Sequence, residues 1–256
     1  MITNFLINIL VFILGLCIGS FLNCVIYRLE QEKSLKGRSF CPRCKHQLSW
    51  QDLFPIFSYL FLRGKCRYCK DKISIHYPIV ELATALLFLT IFNYFQTANF
   101  VMLVFLFYIA SALVIIFVYD VKHLEIPDKV LFPAIFITLA YRLFVDVALL
   151  PNYLLAVVIA SGFFLIIFLI SKGKWMGFGD VKLAALMGLL LGINNVLVAL
   201  FIAFFLGAII GIILMVFKQK GLKSEIPFGP FLITGIFLAL FYGQQIINWY
   251  SQIFSL

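Results

Sequence analysis

Charge is scarce in this sequence. Asp, Glu, Lys and Arg make up 12% of its 256 residues, and only 11 residues are acidic. Soluble domains carry about 25%, so an ordinary soluble globule is excluded. No His-Glu-x-x-His, Gly-x-Ser-x-Gly or phosphate-binding P-loop motif occurs. Their absence removes the helix-borne zinc protease, the α/β serine hydrolase and the P-loop NTPase. Low-complexity tracts and long-period repeats are also missing. What dominates is apolar residues, at 64% of the chain, with a mean hydropathy of +1.08.

The apolar residues fall into eight runs, at 5–27, 78–95, 100–119, 130–149, 152–171, 181–193, 196–217 and 229–249. A span needs about 20 residues. The sixth run is short, so it either begins in the loop around Gly177 or is re-entrant, and seven is the alternative count. The first run lacks a preceding basic segment and a small-x-small cleavage site, so it reads as a retained helix. Gly188-x-x-x-Gly192 and Gly207-x-x-x-Gly211 have the small-residue spacing that lets helices approach, and predict packing inside the bundle.

Basic residues are strongly one-sided. Nineteen of the 20 Lys and Arg lie in the long loop 28–77, or in later loops at Lys122, Lys129, Lys172, Lys174, Lys182, Lys218, Lys220 and Lys223. Only Arg142 lies elsewhere, inside the fourth run, with Asp146 close by. The positive-inside rule makes the basic side cytoplasmic and, with eight spans, turns both termini outward. The net charge of +9 then follows from topology. It calls for no nucleic-acid partner, although anionic lipid would be attracted.

The basic insert carries Cys41-Pro-Arg-Cys44 and Cys66-Arg-Tyr-Cys69, separated by 21 residues. Two such turns complete a four-sulfur zinc site. Two disulfides or a redox-active dithiol are the alternatives, and the cytoplasmic assignment argues against disulfides. Four thiolates leave no open position, so the zinc would be structural. It would fold a segment too small to build its own core. His46 and His76 are then surface or interface residues. Cys17 and Cys24, seven apart, are ordinary packing residues of the first helix. The expected fold is an all-α polytopic membrane protein of about eight transmembrane helices with a cytoplasmic zinc-knuckle insert. Residues 1–27 form the first helix, 28–77 the four-cysteine insert and 78–256 the bundle.

Two aspartates stand where an apolar run meets a loop on the basic side. Asp120 ends the third span. Asp180 follows Gly177-Phe178-Gly179, at a helix start whose dipole favours an anion. Each alone could be a cap or an interfacial carboxylate. Together, at one depth, they suggest a pair that shares a proton and activates water. Asp128 suits a plain cap. Lys122 and Lys182, each two residues after an aspartate, either anchor the topology or tune the carboxylates, and anchoring is favoured.

With these motifs in place, the chain resembles the type IV prepilin peptidases, the prepilin leader peptidase/N-methyltransferase family. The matching segments are Gly19 to Arg28, both Cys pairs, His76 to Leu82, Asp120 to Asp128, Gly177 to Leu183 and Ile226 to Phe231. The Gly-x-Gly-Asp element also resembles the wider intramembrane aspartic proteases. Cys24 stands where the family often has Val, and Glu30 where it often has Pro. The resemblance implies an aspartic endopeptidase of the bacterial inner membrane that removes the basic leader of prepilins and pseudopilins, for pili or type II secretion. Cleavage follows a glycine at the cytoplasmic face, with Asp120 and Asp180 as the catalytic pair. It also implies N-methylation of the new N-terminus from S-adenosylmethionine, associated with the N-terminal half. Asn23 and Glu81, at the insert–membrane junction, are the candidate methyltransferase residues, with bundle hydrogen bonding as the alternative.

Two other readings compete. One is a peptidase without methylation. The other is a scaffold or transporter whose zinc knuckle recruits a partner. A transporter predicts ionisable groups near the midplane and broken helices in both halves, whereas the aspartates here sit at an edge.

Overall fold

The computed structural model describes residues 2–97, 99–217 and 226–254. Lys218, Lys220 and Lys223 of the basic loops lie outside the described residues. The helices are α1 (Ile2–Glu30), α2 (Phe57–Phe61), α3 (His76–Tyr94), α4 (Phe100–His123), α5 (Asp128–Val145), α6 (Leu150–Ser171), α7 (Phe178–Val216) and α8 (Gly229–Phe254). Among the described residues the only β pairing is two isolated bridges. Six helices are long and apolar enough to cross a membrane: α1, α3, α4, α6, α7 and α8. The protein is an all-α, multi-pass membrane protein. It divides into two compact units, Met1–Ile115 and Ile116–Leu256.

In the first unit, α1 packs on α3 through two glycines one helical turn apart. A Cβ on Gly15 would lie 2.5 Å from Ala85 Cα, and one on Gly19 would lie 2.7 Å from Glu81 Cα. This small-xxx-small face lets the backbones touch, and it is a glycine spacing that the sequence reading passed over. Phe88 stacks on Phe107 at 4.3 Å, joining α3 to α4. Cys17 is exposed rather than packed.

The second unit holds the end of α4 and α5–α8. Here α7 is two helices in one. Gly192 has φ 71° and ψ 178°, a backbone region open essentially to glycine alone. The first limb returns along α6: a Cβ on Gly188 would lie 2.6 Å from Val157 N, and Phe168 meets Phe178. The second limb sets out again from Asn152, whose Oδ1 accepts the Ile193 N–H at 2.9 Å, and Phe164 stacks on Phe204 further on. The limbs are therefore antiparallel, which matches the break expected between 193 and 196. The first limb, 178–191, is only about 21 Å long at 1.5 Å per residue. With α7 counted twice and α5 added, the eight expected segments are all present.

The two Gly-xxx-Gly expectations divide. Gly188 provides the close approach. Gly192 serves as the break, because its positive φ ends the helix. A Cβ on Gly207 would lie 3.5 Å from Phe231 Cδ2, and nothing lies within 4 Å of a Cβ on Gly211.

Arg142, expected inside an apolar run, lies instead in the last turn of α5, and there it holds this break. Its Nε and Nη2 donate to the Leu189 and Leu190 carbonyls at 3.1 and 2.7 Å, which the break leaves without helical partners. Its guanidinium lies 3.9 Å from the Tyr153 ring centroid and pairs with Asp146. Gly192→Ala is predicted to destabilise the protein by about 1–3 kcal/mol. Gly211→Ala is predicted to be neutral or slightly stabilising, since Ala is the better helix former by about 1 kcal/mol. Reversible unfolding in mixed micelles measures both.

Candidate active site

Asp120 occupies the last turn of α4, and Asp180 is the third residue of α7. Both are buried, at 4% and 8% exposure. The Asp180 carboxylate accepts the Gly177 backbone N–H. This is the reach-back of a helix-capping carboxylate, so Asp180 does cap α7. The cap fixes the carboxylate at the helix start instead of competing with a chemical role.

Asp180 feels the charge of Asp120, so the two carboxylates lie within electrostatic reach of each other. Two glycines and one isoleucine bring them together. A Cβ on Gly229, the first residue of α8, would lie 2.5 Å from Asp120 Oδ2 and 3.5 Å from Ile126 Cδ1. A Cβ on Gly179 would lie 3.1 Å from Ile126 Cβ. Ile126 thus packs on both glycine backbones, and the Gly229 N–H is directed to the Asp120 carboxylate. Asp120 Oδ2 is buried without a hydrogen-bond partner. An unsatisfied carboxylate oxygen is costly to bury, and water or a substrate group is what it is suited to receive.

Phe228 fixes the approach of Gly229. Its ring contacts Phe164, Phe204 and Phe231 at 5.9, 5.1 and 6.1 Å between centroids. Gly229 and Ile126 were absent from the candidate site residues. Both lie inside segments that carry the family resemblance, but their positioning role needs the tertiary contact to be seen.

The lysines differ from each other. Lys182 pairs with Asp128 and lies between the Phe132 and Phe178 rings, at 5.4 and 5.6 Å. It ties the start of α7 to the start of α5. Asp128 is accordingly an ion-pair partner, with Pro127 at the N-cap position. Lys122 lies in the last turn of α4.

The insert is built from two copies of one loop. Cys41 N–H donates to His46 O, and Cys66 N–H to Asp71 O. Lys45 and Lys70, each directly after the second cysteine of its pair, have positive φ of 60° and 59°. The bridges Phe40–Gln47 and Lys65–Lys72 close the two loops. The four Sγ atoms lie within 4.8 Å of one another, with Cys41 and Cys69 at 3.9 Å. A tetrahedral site with Zn–S near 2.3 Å requires sulfurs about 3.8 Å apart, so the residues fit zinc. None of the six cysteines forms a disulfide. Burial pushes the Cys41 thiol up, but the backbone N–H groups of Cys44 and Arg43 and the neighbouring thiols draw it down to about 7; at Cys69 the Asp71 backbone N–H draws the thiol down, while burial and the neighbouring thiols push it up to about 11.

Asp52 braces the same segment. Burial raises its carboxyl, while bonds from Arg67 and Ser49 more than offset this and hold it below the usual carboxylate range. His46 is exposed and lies on Tyr68 at 3.6 Å, and His76 is exposed at the start of α3.

Asn23 and Glu81 are brought together in the first unit. Asn23 Nδ2 donates to Tyr77 O at 3.0 Å. Glu81 Oε2 accepts the Ile56 N–H at 2.7 Å. Both line one cavity of about 420 Å³.

The metal site has a direct test. Co²⁺ added to the metal-free protein is expected to give the intense visible bands of tetrahedral thiolate coordination. Cys66→Ser should abolish them and leave the insert protease-sensitive, because the metal supplies its folding energy. Unchanged bands in Cys66→Ser would remove the four-sulfur assignment.

Comparison with known proteins places the chain in a family. Residues 13–95, which include the four cysteines, Asn23 and Glu81, match the bacterial peptidase A24 N-terminal domain. Residues 107–212, which include both aspartates, match the type IV leader peptidase family. A protein of Aeromonas salmonicida (strain A449) is 32% identical, covering 94% of this chain and 92% of its own. One of Bacillus subtilis (strain 168) is 33% identical over 95% and 97%, and one of Legionella pneumophila 34% over 92% and 91%. All three are named prepilin leader peptidase/N-methyltransferase. No solved structure matches. With both domains in order and relatives aligned along nearly its whole length, the chain belongs to the type IV leader peptidase family.

Proposed function

We propose that this protein is an aspartic endopeptidase that removes the leader of prepilins and pseudopilins, and then N-methylates the new N-terminus. The observation that supports the reading is two buried carboxylates within electrostatic reach of each other, 60 residues apart in a chain with 11 acids, in a leader peptidase family member.

The mechanism follows from a pair holding one proton, since two adjacent carboxylates cannot both ionise cheaply in a low dielectric. The ionised member of Asp120 and Asp180 takes a proton from water as its oxygen attacks the scissile carbonyl. The protonated member gives its proton to the carbonyl oxygen. In the resulting diol, the roles reverse. One carboxylate recovers a proton from a hydroxyl, the other protonates the leaving nitrogen, and the C–N bond breaks. No covalent enzyme intermediate forms. Gly177 and Gly179 shape the turn before Asp180, and Lys182 secures it through Asp128. Lys122 serves as a topology anchor.

The charge asymmetry supports a cytoplasmic site and insert in a bacterial inner membrane, with anionic lipid beside them. Functionally, 1–27 anchors, 28–77 is the zinc-stabilised insert and 78–256 carries the dyad. S-Adenosylmethionine supplies the methyl group, and Asn23 and Glu81 belong to that second activity.

In liposomes with a prepilin substrate, Asp120→Asn and Asp180→Asn are each predicted to lower cleavage by about ten-thousand-fold. Wild-type rates in both would leave the carboxylates as caps and anchors only. The wild-type rate should fall on both the acid and the alkaline side, because either a second proton or none disables the pair. Gly229→Ala should cost about a hundredfold, the penalty of an ångström-scale misplacement. Gly162→Ala, with nothing within 4 Å of the new carbon, should cleave normally. Intact mass of the product, with and without S-adenosylmethionine, reads the added methyl.

A further inference from the structure

Between the two cysteine pairs, residues 50–61 turn a row of apolar side chains outward. Trp50, Phe54, Phe57, Leu60 and Phe61 are 51–83% exposed, and the spacing 50, 54, 57, 61 is that of one helix face. None of the five lines the interior cavity of the first unit, whereas Ser58, Tyr59 and Leu62 do. The insert thus has an apolar outside as well as an inside. Exposed apolar clusters mark a docking surface for protein or membrane.

The backbone fixes where this surface stands. The short turn Trp50–Leu53 and α2 are joined through Ile56, which has φ 60° and ψ −50°. The Phe57 N–H donates to Pro55 O at 2.6 Å. This is the strained form of the γ-turn, at a β-branched residue that avoids positive φ. Such strain persists only where the surroundings hold it. Here the Glu81 carboxylate accepts the Ile56 N–H at 2.7 Å. Glu81 belongs to α3, a helix long and apolar enough to cross a membrane, and stands about 7.5 Å along it from His76. An interfacial segment seats its apolar face about 5–10 Å into the headgroup boundary. Counted from the start of that span, the tether brings the start of α2 to the same depth.

Charge completes the pattern. Arg63 and Lys65 follow α2, are exposed, and make no ion pair among the described residues. Eleven cations face four acids across 28–77. Asp52, the one acid between Trp50 and Lys65, is bound by Ser49 and Arg67. A soluble protein partner would have to displace headgroups to cover a face at this depth, and lipid is there already.

We infer that residues 50–65 form an interfacial anchor, in which the five apolar side chains enter the headgroup boundary of the bilayer that the chain spans, and Arg63 and Lys65 select anionic lipid. Aromatic rings suit that boundary, and cations beside it attract anionic headgroups. The anchor gives the insert an attachment beyond α1 and α3, and sets its height at the membrane surface.

The test uses the full chain in nanodiscs of mixed phosphatidylglycerol and phosphatidylcholine. Two single-tryptophan proteins are made. One keeps Trp50 and carries Trp175→Phe and Trp249→Phe. The other carries Trp50→Phe as well, with Phe61→Trp. Lipids brominated just below the headgroup should lower the emission of both at least about twofold, as expected for rings at the boundary, and aqueous iodide should have little effect. Quenching by iodide and not by brominated lipid would place the face in water and overturn the anchor. Quenching by neither would mean that protein covers it, from this chain or a second copy, and would also overturn the anchor. With bromine on phosphatidylglycerol alone, quenching should exceed that with bromine on phosphatidylcholine alone, and Arg63→Gln with Lys65→Gln should remove the difference. Equal quenching by the two lipids in the unsubstituted background would overturn the selection of anionic lipid, and a difference that survives both substitutions would overturn its assignment to these cations.

Discussion

The second unit depends on how closely a backbone without a side chain can approach Asp120. A carboxylate in an apolar bundle must be shielded, but it cannot be sealed by hydrogen bonds from all sides if it is to act on water. The Gly229 backbone solves the first half of this conflict. It covers the carboxylate at a distance that no other residue type could reach. The orphaned Oδ2 expresses the second half. Ile126 transmits the same closeness to Gly179, so the two aspartates share a fixed wall although they come from opposite ends of different helices. The aromatic cluster around Phe228 and the Lys182–Asp128 pair then act as supports. They determine where the start of α8 and the start of α7 stand, and through these starts they determine where the carboxylates stand.

The same logic explains why α7 is folded back on itself. A 39-residue helix would run about 58 Å at 1.5 Å per residue, well beyond a bilayer core of about 30 Å. Breaking it at Gly192 lets one apolar segment descend along α6 and a second leave beside it. The break exposes carbonyls at Leu189 and Leu190, which in hydrocarbon need a partner. Arg142 provides it, with Asp146 and Tyr153 compensating its charge. Arg142, at the end of α5, is therefore a helix cap supplied from another helix. That accounts for a charge inside an apolar run without a transport pathway.

What was legible in the sequence was chemistry that is local along the chain. Asp120, Asp180 and the paired cysteines announce themselves because each rarity sits in a short motif, and because charge is otherwise scarce. The number of helical segments was legible from the length of the apolar runs. What was not legible depends on contacts across the fold. Gly229 looks like any glycine before a proline until Asp120 is found against it. Arg142 looks like an exception to the charge pattern until the carbonyls it satisfies are in view. Gly192 was read as a packing residue because spacing reports a helix face and says nothing about φ. Asp128 was read as a cap because its partner, Lys182, is 54 positions away.

Placing the aspartates at helix ends, rather than mid-helix, carries a consequence for the substrate. A carboxylate near the bilayer centre costs several kcal/mol, and the cost falls towards the interface. Water reaches helix ends more readily than midplanes, so the nucleophile of the proposed reaction would be available where the pair sits. A scissile bond in an intact helix would still be protected, since its carbonyl is hydrogen-bonded and its carbon is covered by the next turn. The substrate must therefore present its bond where its own helix has not yet begun. A polar leader followed by an apolar helix does this by composition alone. In the proposed reaction, that junction is the stretch expected to be extended at the depth of the carboxylates. Specificity for such a junction can thus arise from where the dyad stands, before any side-chain pocket contributes.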